Sequence, residues 1–241
     1  VNQLSFDFEP TLPAWAERLA VFDLETTGLE LREARIVTAC ALEIDSSGNP
    51  TSEVAEWLVN PGIDIPIQAA SVHGVTTEIA QAKGQSAASA ISEILAKLRF
   101  FFEQNIPVVA YNAPFDFTIL HFEALRYGLE PLANPMPIID PLVIDKYKDT
   151  YRGGKRRLEN AAEFYRVPLK NAHNATADAI AAGRVAQAIA RRWSTELPTD
   201  PIELHKLQVS WSEANDKSFE DYMRRVKDPS FTVVRGWPLK A

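Results

Sequence analysis

Three apolar runs of strand character follow one another from Leu19: RLAVFDLE, RIVTACALEI and SEVAEWLVN. Turn-forming residues separate them, with GNP between the second and third and NPG after the third. Short connections favour an antiparallel meander. Beyond residue 85 the pattern changes. SAASAISEILAKLRFFFEQN has helical periodicity, with Ile91, Ile94, Leu95, Leu98 and Phe102 on one side. PVVAY is a short apolar strand, APFDFTILHFEALRYG a helix opened by Pro114 and closed by Gly128, and MPIID another short strand. RRLENAAEFYRV and ATADAIAAGRVAQAIARRW complete the series as helices. Three antiparallel strands followed by a β-α-β-α pattern predict a mixed α/β sheet flanked by helices.

The first run holds an anomaly. Asp23 and Glu25 lie two positions apart in VFDLETTG. On a strand, residues i and i+2 point to the same side. Two carboxylates aimed at one spot repel unless a cation sits between them. Carboxylates are rarely buried without a partner or a metal. No Arg or Lys stands near them in the sequence, though a distant one could pair.

Two further acids occupy marked positions. Asp116, in AYNAPFDF, follows the strand Pro107–Tyr111 and falls in the first turn of the next helix. Asp178, in HNATADA, follows His173 by five residues, a separation that puts the two on different helix faces. Asn174 therefore reads as an N-cap, with His173 in the preceding loop and Asp178 in the first turn, where the helix dipole favours its ionised form. Taken singly, an acid in a first turn is ordinary capping. FDLETTG, YNAPFD and HNATAD in this order, each at a strand end or helix start, form a far more specific set.

These motifs resemble those of the DnaQ-like 3′→5′ exonucleases of the DEDDh type, the family of the proofreading epsilon subunit of bacterial DNA polymerase III, ribonuclease T and oligoribonuclease. The resemblance runs from Leu19 to about Arg192, with NPGIDIP, VHGVT and LENAAEFYRV as secondary markers. It implies a ribonuclease-H-like fold with a five-stranded mixed sheet and helices on both faces. It makes Asp23, Glu25, Asp116 and Asp178 the acids of a site for two divalent ions, Mg²⁺ or Mn²⁺, and His173 the general base. Carboxylates without cysteine suit such hard ions. Asp23 is assigned as the bridging ligand, with Glu25 and Asp178 completing one metal and Asp116 serving the other, directly or through water. The imidazole of His173 can take a proton near neutral pH.

The resemblance also places Thr26, Gly28, His73, Asn112 and Phe115 around the terminal nucleotide. A Thr-Thr-Gly turn offers hydroxyl and amide donors to phosphate or sugar. Phe115 could stack on a base or pack into the core, and His73 could be a contact or a structural residue. His121 and His205 read as surface or helix residues. The stretch DKYKDTYRGGKRRLEN carries Lys146, Lys148, Arg152, Lys155, Arg156 and Arg157 with two tyrosines. It is either a guide for a single strand or a solvated loop.

A net charge of −7 argues against a broad basic surface, but not against an enzyme that handles a short nucleic-acid end. The expected activity is metal-dependent removal of nucleotides from single-stranded 3′ ends, DNA favoured over RNA, in proofreading or repair. The alternatives are an exoribonuclease and a catalytically silent binding or scaffold module. Residues 1–17 read as an N-terminal arm, 18–195 as the exonuclease domain and 196–241 as a helical appendage with a tail. Within the arm, Gln3–Phe8 resembles the peptides that dock bacterial replication proteins on the sliding clamp. No apolar run approaches the roughly 18 residues of a membrane span. The N-terminus lacks the features of a secretory signal. With Cys40 as the single cysteine, inside a buried-looking strand, a reducing, cytoplasmic setting is expected.

Overall fold

The computed structural model describes residues 12–51, 53–169 and 173–240. The Gln3–Phe8 segment lies outside them. After a 3₁₀ turn at Ala14–Ala16, strands β1 (Leu19–Thr26), β2 (Ile36–Ile44) and β3 (Ala55–Asn60) form the antiparallel meander. Two short helices follow, α1 (Ile67–His73) and α2 (Thr77–Lys83), then β4 (Gln85–Ser86) and α3 (Ala87–Glu103). The β-α-β-α half comprises β5 (Val108–Val109), α4 (Ala113–Arg126), β6 (Ile138–Ile139) and α5 (Pro141–Lys148). The chain ends with α6 (Leu158–Phe164), α7 (Ala175–Arg192) and α8 (Pro201–Val226).

The sheet order is β4-β3-β2-β1-β5-β6. β5 runs parallel to β1 and β6 parallel to β5. The mixed sheet follows the expectation and carries one further strand, the two-residue β4, parallel to β3 at the edge. Helices α1, α2 and α5 were not anticipated. Each has only seven or eight residues, too few to show a period. Their ends are nevertheless marked: Thr76 caps α2, Asp140 caps α5 ahead of Pro141, and Gly74 ends α1 at φ 77°. On α3 the buried stripe runs through Leu98 to Phe101, and Phe102 is only half-buried.

Alternation along β1 sends its side chains to two different layers. Phe22 meets Phe117 of α4 on one face, ring centroids 5.7 Å apart. Val21 meets α7 on the other, so Asp23 and Glu25 share the α7 side. There α7 lies unusually close. A methyl group added at Gly183 would stand 2.5 Å from both Val21 and Ile44. Ala179, Ala182 and Ala186 are buried beside it. Small residues thus set the depth at which α7 docks, and with it the position of Asp178 at its N-terminus.

The β6 edge is closed by side chains of α8 rather than by another strand. His205 Nδ1 accepts from Ile138 N at 3.1 Å. Gln208 accepts from Asp140 N at 2.7 Å and donates to Ile138 O at 3.0 Å. These bonds satisfy edge groups that would otherwise pair with another strand. His205, a helical residue as expected, is therefore buried as well.

The bond to Ile138 requires His205 to keep Nδ1 bare. Burial, reinforced by the charge of Lys206, lowers its pKa to about 4. The folded value lies below the ordinary ~6.5, so this group's contribution is complete above pH ~6.5 and is lost as pH falls toward 4. Between pH 7 and 4.5 the native chain should lose several degrees more in Tm than His205→Gln, roughly 1–3 kcal/mol after allowance for screening. Parallel melting curves for the two across that range would contradict the assignment.

Candidate active site

The site forms at the C-terminal ends of β1 and β5, where parallel strands of open α/β sheets present ligands. Asp23 and Glu25 come from the last turns of the β1 pleat. Asp116 stands in the first turn of α4, directly after β5, and is 2% exposed. Its Oδ1 accepts from Leu24 N at 3.1 Å, the amide between the two β1 acids. Asp178 stands in the first turn of α7, behind an N-cap in which Asn174 accepts from Ala177 N at 3.1 Å. Asp178 Oδ2 accepts the backbone N–H of His173 at 2.9 Å. Ligand atoms of Glu25, His173 and Asp178 lie within 4.8 Å of one another.

All four acids are pushed toward the protonated form. Asp23 is raised well above the usual carboxylate range, by burial first, then by Asp116, Glu25 and Asp178. Asp116 is raised mainly by burial, against the opposing Leu24 hydrogen bond. Glu25 rises to about 7 through burial and the charge of Asp178. Asp178 is raised by burial, partly offset by His173. Among the described residues no Arg or Lys pairs with any of them. Among the described residues the buried Asp178 Oδ1 has no hydrogen-bond partner. A concentration of anionic oxygens with one orphaned oxygen fits divalent cations bound by hard donors. Cys40 stands opposite Asp23 on β2, and burial pushes its thiol up to about 12.

A cavity of about 380 Å³ opens beside Glu25, lined among others by Thr26, Gly28, Val72, His73 and Phe115. A second, of about 200 Å³, is lined by His173, Thr176, Trp57 and again His73. The buried Nε2 of His73 turns toward the Thr26 backbone without a full hydrogen bond, while its Nδ1 accepts from Val75 N at 3.2 Å. Burial holds its pKa below the ordinary value. Thr26 turns its hydroxyl to Gly28 O at 2.7 Å, which closes the Thr-Thr-Gly turn. A Cβ at Gly28 would meet nothing within 4 Å, so the cavity wall is open there. Phe115 both packs on the core and lines the cavity. Asn112 is exposed and lines neither cavity; it holds a left-handed turn at φ 66° and ψ 48° as the N-cap of α4.

That turn depends on a residue the sequence reading passed over. Asp140, fully buried, accepts from Asn112 N, Ala113 N and Leu142 N, each at 3.0 Å, and from Trp237 Nε1 at 3.3 Å. It fixes the start of α4, and hence Asp116, and ties the C-terminal segment to the site. Its signal was MPIIDP, an acid between an apolar strand and a proline, which marks an N-cap. Asp140→Asn keeps the shape but leaves amide donors facing an amide. Stability should fall by about 2–4 kcal/mol, read from the denaturation midpoint. A change under 0.5 kcal/mol would remove Asp140 from this role.

Residues 20–186 match the family model RNase_T, described as exonuclease. A 174-residue stretch is 27% identical to the PolC-type DNA polymerase III of Pediococcus pentosaceus, over 72% of this chain and 11% of that protein. A 109-residue stretch is 38% identical to a DNA polymerase III subunit epsilon-like protein of Rhodobacter capsulatus, over 45% of this chain and 15% of that protein. The chain therefore corresponds to a small part of these relatives. Among solved structures, exonuclease I of E. coli in complex with a dA16 oligonucleotide superposes with a TM-score of 0.62 at 22% identity, over 74% of this chain and 42% of that one. Exonuclease I of Methylocaldum szegediense gives 0.60 at 21% identity, over 84% and 44%. The fold is thus the ribonuclease-H-like fold of exonuclease I.

Proposed function

From the premise that the chain belongs to the RNase T-type, DnaQ-like exonuclease family, we propose that it is a metal-dependent 3′→5′ exonuclease acting on single-stranded DNA ends. The observation that carries this reading is the meeting of Asp23, Glu25, Asp116 and Asp178 with no paired Arg or Lys among the described residues, around an orphaned Asp178 oxygen and beside a nucleotide-sized cavity. Asp23, Glu25 and Asp178 would hold one divalent ion, and Asp23 with Asp116 a second. When bound, such ions activate water and stabilise charge on the phosphoryl and departing oxygens.

The protein's own groups complete the chemistry. The His173 imidazole takes the proton of the attacking water. Glu159 Oε1, 3.6 Å from His173 Nε2, stabilises the ring once it carries that proton. The cavity between the Thr-Thr-Gly turn and α1 receives the terminal nucleotide, with Phe115 against the base and His73 Nε2 toward a polar group of the sugar or phosphate. DNA is favoured because the relatives named above are a PolC-type DNA polymerase III and a DNA polymerase III subunit epsilon-like protein, and the structural neighbour holds a deoxyoligonucleotide. The Gln3–Phe8 arm, as a clamp-docking peptide, would keep the enzyme near DNA; titration of a Val1–Pro10 peptide against a clamp tests it.

The deciding experiment digests end-labelled single-stranded DNA, duplex DNA and RNA with Mg²⁺, Mn²⁺ or EDTA. Stepwise shortening from the 3′ end of single-stranded DNA, abolished by EDTA, is expected. Faster cleavage of RNA would reassign the substrate. No cleavage of any substrate would return the chain to a silent binding module. Among the described residues no helix is long and apolar enough to cross a membrane.

A further inference from the structure

From Lys148 at the end of α5 to Arg157 at the start of α6, the basic stretch divides into two sets of residues, one paired and one exposed. Asp145, fully buried on α5, gathers the first set. Its Oδ2 receives Arg152 and Arg156, the latter at 2.8 Å, and its Oδ1 receives the Tyr165 hydroxyl at 2.7 Å. Arg156 also donates to the carbonyls of Asp145 at 2.8 Å, of Arg152 at 3.0 Å, and of Asp149. Tyr111, between β5 and the helix that carries Asp116, donates to Arg156 O at 2.8 Å. Lys148 is paired with Glu196. These cations hold the loop down and are not available to guide a strand.

The second set is left outside. Tyr151 is 100% exposed. Lys155 and Arg157 are exposed, and among the described residues neither has an ion pair. Between Tyr151 and Lys155, Gly153 and Gly154 present no side chain, and a Cβ at either would meet nothing within 4 Å. The Tyr151 ring thus stands free on a loop that many bonds hold in place, where a planar partner can reach it. The loop ends at the active site: Arg157 is the N-cap of α6, and two residues on, Glu159 faces His173.

We propose that the loop from Asp149 to Arg157, clamped from below by Asp145, is a second nucleic-acid contact in which Tyr151 stacks on a base and Lys155 and Arg157 bind phosphates of the single strand upstream of the scissile end. This rests on the exonuclease reading above. An exposed ring accepts any base, and two unpaired cations provide local attraction on a chain whose net charge is −7. The mount matters because ordering a flexible loop on binding would lower affinity, whereas this loop is already ordered.

The test uses the full chain, Tyr151→Ala, and the double variant Lys155→Gln with Arg157→Gln. Binding of a 5′-fluorescein dT16 is followed by anisotropy with Ca²⁺ in place of the activating ion, and hydrolysis is measured on dT16 and on the p-nitrophenyl ester of thymidine 5′-monophosphate, which has no upstream strand. Tyr151→Ala should raise the dT16 Kd roughly 5- to 100-fold. Its loss of kcat/KM on dT16 should exceed its loss on the ester by a similar factor. The double variant should reduce the slope of log Kd against log salt by about 1.4, two phosphate contacts on a single strand. Unchanged Kd and slope, or equal losses on the two substrates, overturn the proposal. A native chain that hydrolyses neither substrate refutes the exonuclease reading, while the anisotropy titrations still decide whether the loop binds DNA.

Discussion

Asp23→Asn will lower turnover on single-stranded DNA in saturating Mg²⁺ by at least about 10³-fold and will make the metal-free protein more stable at pH 8. The first effect follows from position. Asp23 faces Asp116, Glu25 and Asp178 at once. Removing its charge would touch both proposed ligand sets, and three orders of magnitude correspond to roughly 4 kcal/mol of barrier. The second effect follows from linkage. A buried acid with a raised folded pKa binds more protons in the native state than in the unfolded state. Its favourable state is therefore complete below the unfolded value and is lost as pH rises through the folded value. For Glu25 that window runs from the ordinary carboxylate range to about 7. Asp23 adds to it in the same direction. Raising the pH through that window thus adds mutually repelling charge to the metal-free site, and Asn in place of Asp23 removes one of the groups that contribute to it. Thermal melts at pH 5 and pH 8, with EDTA or Mg²⁺, give the readout. The native Tm should fall between pH 5 and 8 in EDTA and recover with Mg²⁺, and the variant should show less of both. A variant with turnover within tenfold of native, or a native Tm indifferent to Mg²⁺, would end the reading.

The acids were legible because each obeys a local rule. Asp23 and Glu25 follow the period of two on a strand, and Asp116 and Asp178 stand one turn into helices whose starts are marked by Pro114 and Asn174. The meander was legible because its connections are short. The remainder depends on contacts between residues far apart in the chain. Asp140 is held by amides 28 residues before it and by an indole 97 residues after it. Nothing local distinguishes such an acid from any other helix cap. Arg152 and Arg156 look like surface cations in sequence, and only the burial of Asp145 turns them inward. In the same way His205 and Gln208 have no visible role until β6 is known to be an edge strand.

His173→Asn should lower kcat by roughly 10²- to 10⁴-fold, the range for a positioned general base, with little change in the affinity for a single-stranded oligonucleotide. Asparagine is the informative replacement because of the backbone. His173 lies at φ 68°, in the left-handed region that Asn tolerates better than Ala. Its tie to Asp178 is made by the main-chain N–H, so that bond survives any change of side chain. The imidazole itself is half-exposed, touches Glu159 at 3.6 Å, and lines the smaller cavity without filling the larger one. On the proposed reading its removal therefore deletes the proton acceptor while leaving the acids and the larger cavity in place. Two readouts separate chemistry from structure. Added imidazole should restore part of the turnover of His173→Gly, since a small base can enter the vacated space. The Mg²⁺-induced rise in Tm should be retained in His173→Asn, because the carboxylates are intact. A loss confined to KM would make His173 a substrate contact. Loss of the Mg²⁺ response would make it a ligand, and the proton would then need another acceptor, of which Glu159 is the nearest carboxylate on that side of the ring.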